Sequence, residues 1–313
     1  MQLNCELSQC ITHCALTAIG VIVFTIILDI ILYFAYSYFI VRKYYSGDLL
    51  RKRNRELARY GYFEPGTAGA DWKEIYPPID AKSQDVVFNS IAANDNWIWA
   101  TAKNDDIYVC KKPCDGTSKE TFWHQFPGKL RQISTNNGSV WGVNRDDRVF
   151  GMGTRNDKGN WGGNPARLRN ISVGSTGWIW GTNGSRNPYV CHPKGACWKR
   201  WYPATGIKSI QVTAGQNYVW SLDNAGSISV RSSNGAGKWA HVPSPTSMSY
   251  IACGLSDNLF AISEDGGLYM LKGAGMGSWI VVKNAPKLRA ISVNKEIYGL
   301  GQDNTIWEGT LPA

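Results

Sequence analysis

Histidine is scarce in this 313-residue chain: His13, His124, His192 and His241 are the only four, and no two have metal-ligand spacing. A phosphate loop is missing too, because the nearest approach to one, Gly235-Ala236-Gly237-Lys238, is followed by Trp239 where Ser or Thr is required. The acid pairs Asp105-Asp106 and Asp146-Asp147 fall in turns, where Asp serves backbone geometry rather than proton transfer. No Lys or Arg precedes residue 42, and only one long apolar run exists. These absences argue against an enzyme, a cofactor or a resident metal, and nothing calls for nucleic acid as a partner. Binding and assembly remain.

The single apolar run covers residues 15–41, 27 residues that are long enough to cross a bilayer with some tilt. It lacks the basic start and small-residue cleavage site of a signal peptide, so the sequence predicts a retained transmembrane helix after a polar tail, 1–14, that holds Cys5, Cys10 and Cys14. Those three are either palmitoylation sites or a simple thiol cluster. Asp29 lies near the middle of the run, with Tyr33 and Tyr36 on the same helical face. An acid at that depth is costly and points either to a partner helix or to a protonated, tolerated side chain.

Arg42, Lys43, Arg51, Lys52, Arg53, Arg55 and Arg59 follow, against Asp48 and Glu56, a local excess of seven minus two. With Leu49, Leu50 and Leu57 between them they predict a basic amphipathic helix on anionic headgroups. The flanking charge places residues 42 onward in the cytoplasm. Residues 60–70, containing Pro65, Gly66 and Gly69, read as a linker.

What the rest of the chain has in abundance is a repeated hairpin. Val140-Trp141-Gly142-Val143 turns at Asn144-Arg145-Asp146-Asp147 and returns as Arg148-Val149-Phe150, apolar and polar residues alternating on both sides. The aromatic anchors of six such hairpins are Trp99, Trp141, Trp180, Trp220, Phe260 and Tyr298, spaced by 42, 39, 40, 40 and 38 residues. A period near 40 with several strands per repeat predicts a β-propeller, whose blades bury their faces only on closing into a ring.

Each hairpin is preceded by a strand: Phe88 to Ile91, Leu130 to Ser134, Leu168 to Ser172, Ile207 to Ile210, Met248 to Ile251 and Leu288 to Ser292. Five are followed by a strand that opens near Trp123, Trp161, Trp198, Trp239 or Trp279. The sixth such strand is absent after the last hairpin, and Asp71-Trp72-Lys73-Glu74-Ile75-Tyr76-Pro77 has its pattern ahead of the first blade. The expected fold is therefore all-β: a six-bladed propeller over residues 71–313 whose N-terminal strand closes the last blade.

Leu-Arg-x-Ile-Ser, Val-Trp-Gly-Val-Asn, Asp-x-Ile-Tyr and Trp-x-x-Phe-Pro-Gly recur in these blades, and over residues 71–313 the chain resembles the tectonin repeat of tectonins and fish egg lectins. The resemblance implies a six-bladed propeller that binds glycans or bacterial lipopolysaccharide, without fixing ligand residues. The candidates come from the residues themselves. Two positions before each anchor stand Trp97, Ser139, Trp178, Tyr218, Asn258 and Glu296, a position that varies where core positions repeat. Trp97, Trp178 and Tyr218 suit stacking on sugar rings, with Asn144, Arg145 and Asn183 as hydrogen-bonding candidates; packing between blades is the other reading. The opening Trp of each outer strand repeats and is assigned to the core between blades.

Cys110 and Cys114, and Cys191 and Cys197, occupy equivalent places in blades one and three, which suggests two local disulfides and an oxidising compartment. That opposes the cytoplasmic placement read from charge, and zinc or reduced thiols are the alternatives. Sequons at Asn137, Asn170 and Asn183 do not decide the side. Two functions follow: a single-pass, membrane-anchored propeller that recognises glycans or another surface ligand, or a structural subunit whose propeller docks proteins within a larger membrane assembly, an organelle complex or a membrane-containing virus particle.

Overall fold

A computed structural model describes residues 66–80, 84–114, 122–153, 160–191, 197, 200–254, 257–272 and 277–312. The apolar span 15–41 with Asp29, Tyr33 and Tyr36, and the basic stretch from Arg42 to Arg59, lie outside them. Among the described residues the structure is all-β, and no helix is long and apolar enough to cross a membrane.

Two strands, β1 (Gly66–Gly69) and β2 (Trp72–Ile75), precede the blades. Blade one is β3 (Phe88–Ala93), β4 (Trp97–Ala102), β5 (Asp106–Lys111) and β6 (Trp123–Lys129). Blade two is β7 (Gln132–Thr135), β8 (Ser139–Val143), β9 (Arg148–Gly153) and β10 (Gly162–Arg167). Blade three is β11 (Asn170–Val173), β12 (Ile179–Thr182), β13 (Pro188–Cys191) and β14 (Tyr202–Pro203). Blade four is β15 (Gln211–Ala214), β16 (Tyr218–Leu222), β17 (Ile228–Ser232) and β18 (Ala240–Val242). Blade five is β19 (Met248–Cys253), β20 (Leu259–Ser263), β21 (Leu268–Leu271) and β22 (Trp279–Lys283). Blade six takes β23 (Leu288–Val293), β24 (Glu296–Gly301) and β25 (Ile306–Thr310) from the end of the chain and β2 from its beginning. Trp72 pairs with Gly309 and Ile75 with Ile306, antiparallel, which is the closure the sequence predicts.

Two details depart from the sequence reading. Residues 66–69, taken there as linker, form β1 and pair in parallel with Ile280 to Lys283 of β22. Gly-Thr-Ala-Gly has no alternation to announce a strand; it joins an exposed edge through backbone bonds alone. In blade four the inner strand is β15, Gln211–Ala214, not residues 207–210. Ser209, fully buried, takes the place that Leu168 has in blade three, each N–H donating to the hairpin behind it (Arg186 O at 2.8 Å, Asp147 O at 2.8 Å), and Ile210 is left exposed.

The anchors are all buried, and the buried apolar side chains fall into six clusters, each drawn from two neighbouring blades. Burial of one such aromatic is worth about 1.5–3 kcal/mol. In blades one to five an outer-strand tryptophan clasps the blade to the one before it, whereas in blade six the buried indole N–H of Trp72 has no partner. Trp123 Nε1–H donates to Tyr76 O (3.1 Å), Trp161 to Pro127 O (2.7 Å), Trp239 to Ala204 O (3.2 Å) and Trp279 to Pro243 O (2.7 Å). In blade three Trp201 does this work, through Asn164 Oδ1 at 3.0 Å, while Trp198 lies outside the described residues.

The recurring Leu-Arg-x-Ile-Ser has a structural explanation as well. The serine caps a free N–H on the next inner strand: Ser134 accepts from Val173 (3.0 Å), Ser172 from Ala214 (2.9 Å) and Ser292 from Ala93 (2.8 Å). Gln132 and Gln211 each accept and donate in the same way to Ile171 and Ile251. Arg131 reaches the Arg169 carbonyl, and Arg289 reaches that of Phe88. The leucine lies where a side chain on the Trp-Gly or Tyr-Gly glycine would stand. At Gly299 the nearest atoms to an added Cβ belong to the Leu288 side chain, at 2.7 Å, whereas at Gly181 the Asn170 carbonyl is also close, at 2.6 Å. Gly299→Ala is therefore expected to cost about 1–3 kcal/mol by overpacking, and in denaturant titrations to couple to Leu288→Ala. Strict additivity of the two would contradict this assignment.

Candidate functional site

Every inner strand runs towards the same end of the ring. That end, the loop end, carries the links from first to second and from third to fourth strand of each blade, and the opposite, hairpin end carries the turns from second to third. Trp97, Trp178 and Tyr218 stand at the loop end, where each second strand begins. They are half-buried, Trp97 against the cluster shared by blades one and two, Trp178 against that of blades three and four, and Tyr218 against that of blades four and five, 6.4 Å from Trp220 between ring centres. Trp178 and Tyr218 occupy neighbouring blades, and Trp97 is two blades away. Each ring seals a seam and leaves some of its surface to solvent.

The loops around them are tied to one another. Asn94 donates to Thr135 Oγ1 (3.2 Å), Asn136 to Gly174 O (2.9 Å), Thr176 to Gln216 O (3.4 Å), and Asn294 to Asp95 Oδ1 (3.1 Å). Burial tends to raise the Asp95 pKa, but hydrogen bonds from Asn294 and Asn137 and the Lys295 ammonium outweigh it and hold the carboxyl below its usual range. Asp257, at φ 60°, accepts from Asn217 N (3.0 Å) and Nδ2 (2.8 Å) and so fixes the loop that presents Tyr218. Its role was hidden in sequence, where it is one acid in an ordinary loop.

Cys110 is bonded to Cys114 and Cys191 to Cys197, with Cα separations of 6.1 and 5.1 Å. Lys112, inside the first of these loops, crosses to blade six. Its ammonium lies 2.9 Å from Glu296 Oε2 and 4.5 Å above the Tyr298 ring. The Tyr298 hydroxyl donates to Glu308 Oε1 at 2.7 Å, and burial together with the two glutamates pushes its pKa up. Among the described residues no cluster of His, Cys, Asp and Glu has the makings of a metal site. The central channel, lined by the inner strands, has a volume of about 80 Å³, room for ordered water and too little for a sugar ring.

Asn144, Arg145 and Asn183 lie at the hairpin end, away from the three aromatics. Each is engaged in the fold. Asn144 Oδ1 accepts from the N–H of Asp146 and Arg148, and Asn183 Oδ1 from that of Ser185 and Asn187, the Asx geometry of a turn. Arg145 donates to Asp105 Oδ2 (2.5 Å) and Lys103 O (2.6 Å) of blade one. The six turns share a left-handed residue, Asp105, Asp147, Arg186, Gly226, Gly266 and Asn304, which explains the acids there as backbone devices. Asn170, one of the sequons, is held in the ring, its Oδ1 accepting from Val212 N at 2.8 Å.

The profile of the tectonin domain matches residues 82–189 and 154–311. The chain belongs to the tectonin family. Over 105 residues this tectonin propeller is 31% identical to a fish-egg lectin of Cyprinus carpio, a match that spans 31% of the chain and 44% of the lectin. It is similar in fold to the human protein WBSCR16 (10% identity, TM-score 0.51, 74% of each chain covered). The structure of YCF48 bound to a D1 peptide has the same fold (16% identity, TM-score 0.50), with 80% of this chain and 94% of that one covered.

Proposed function

We propose that this tectonin propeller is a non-enzymatic binding module that recognises glycans at its loop end, carried on a chain anchored in a membrane through residues 15–41. The observation that carries the reading is the variable position before each anchor. It holds Trp97, Trp178 and Tyr218 in three blades and Ser139, Asn258 and Glu296 in the others, while the anchors beside it keep to large aromatics. A core position repeats because each seam is the same; one that changes from blade to blade answers to something outside the ring. Half-exposed aromatic faces beside the Gln216-Asn217 loop offer the stacking surface and polar groups that a sugar ring needs. The lectin relative supports the ligand class, and the two disulfides support a compartment outside the cytosol.

A panel of immobilised oligosaccharides tests the proposal. The full chain is expected to bind a subset of them, and Trp178→Ala to lower that affinity at least tenfold while the melting temperature stays within a few degrees. No binding across the panel, together with stoichiometric co-purification of a protein partner, would replace the glycan reading with the docking one.

A further inference from the structure

At the hairpin end of blades two and three the structure assembles arginines that the fold does not use up. Arg131 and Arg169 share Asp147 (2.9 and 3.4 Å), and Arg145 is paired with Asp105. Arg148, Arg167 and Arg186 are exposed, and among the described residues no carboxylate lies within ion-pair distance of any of them, although Arg167 spends one Nη1–H on the Asp146 carbonyl (3.0 Å). Arg148 and Arg167 stand directly opposite each other across β9 and β10, a like-charge pair that costs stability unless an anion lies between them. Of the acids nearby, Asp105 is buried and Asp147 three-quarters covered, while Asp146 is exposed and takes only a long hydrogen bond from Asn144 Nδ2 (3.5 Å), so one open carboxylate stands against three open guanidinium groups. The same end of blades five and six mixes the exposed acids Glu264, Asp265 and Asp303 with the exposed Lys283 and Lys287, so the unbalanced positive charge belongs to blades two and three.

A cleft of about 670 Å³ opens beside Arg186, lined by Asn187, Pro188, Tyr189, Pro203, Ile207 and Lys208. It lies where the two-residue β14 pairs Pro203 with Tyr189 at the edge of blade three. Lys208 is steered to its edge by Asn187 Oδ1 (2.8 Å) and Ser185 O (3.2 Å).

We infer that this sector is a second binding surface, separate from the loop end, for an acidic polysaccharide. Planar guanidinium groups bind sulfate or carboxylate with two parallel hydrogen bonds. An arc of them leading into a cleft with a tyrosine wall fits a chain of charged rings better than a flat bilayer, which has no use for the cleft. The inference shares a ligand class with the proposal above and uses none of its residues.

The test uses the full chain with heparin and chemically desulfated heparin as probes. The chain is expected to bind heparin, at least tenfold less well when desulfated and progressively less as salt is added. Arg148→Ser/Arg167→Ser/Arg186→Ser is expected to reduce heparin affinity at least tenfold, whereas Trp178→Ala leaves it unchanged. If the triple variant melts low, Arg186→Ser alone is read, with a two- to fivefold loss expected. The inference fails if heparin affinity is lost only with serine at Arg51, Lys52, Arg53 and Arg55. It fails equally if the three arginines matter for phosphatidylserine vesicles and not for heparin. Loss of oligosaccharide binding with Trp178→Ala while heparin binding survives separates the two sites.

Discussion

Ile75→Asp is expected to destabilise the propeller by more than about 4 kcal/mol, which for a domain of this size lowers the melting temperature by roughly 10 °C or more. Ile75 is 2% exposed and belongs to the cluster shared by blades six and one, with Tyr298, Leu300 and Ile306 on one side and Phe88 and Ile98 on the other. It is also the end of the strand that joins the two halves of blade six, 231 positions away from its partner Ile306. A carboxylate there loses the apolar contact and stands among the apolar side chains of that cluster. Lys73→Asp, on the exposed face of the same strand, separates burial from a general effect of charge and is expected to change stability by less than about 1 kcal/mol. Calorimetry decides it: equal melting temperatures for the two variants would mean that β2 does not close the ring.

Trp180→Ala is expected to cost about 3–5 kcal/mol, because a fully buried indole leaves a cavity that the surrounding strands cannot fill. The change also strips the buried Ser233 carbonyl of its donor at 2.8 Å and the edge-on contact with Trp239, whose ring centre is 5.8 Å away. Two residues earlier on the same strand face, Trp178→Ala is expected to cost under about 2 kcal/mol, since that ring is only half-buried. Denaturant titration of both gives the contrast on which the division between core and site rests. Equal losses would assign Trp178 to packing alone.

The six blades, their anchors and the closing strand were legible because each is repeated, and repetition at a fixed interval survives local ambiguity. Leu-Arg-x-Ile-Ser was legible as a motif, though its meaning as a chain of caps and bridges around the ring needed the neighbouring blade in view. What escaped was of two kinds. β1 joins blade five through its backbone, so no side-chain pattern marks it, and Ile207 imitated the leucine of its neighbours two residues out of register. Site residues read from a linear chain also ignore which end of a strand they occupy. Asn144, Arg145 and Asn183 lie close to Trp141 and Trp180 in sequence, yet β8 and β12 carry them to the end opposite Trp97, Trp178 and Tyr218. The direction of each strand, present in the hairpin pattern, was the signal that would have separated them. Asp257 gave no signal at all, because its work is done on the backbone of another blade.

Fluorine NMR of the full chain labelled with fluorotryptophan, titrated with an oligosaccharide that it binds, tests most directly whether ligand is held at the loop end. The account predicts that the resonances of Trp97 or Trp178, assigned by substitution, shift to saturation while those of Trp99, Trp180 and Trp220 stay in place. Saturating binding that leaves both Trp97 and Trp178 unmoved would contradict it and place the ligand elsewhere on the ring.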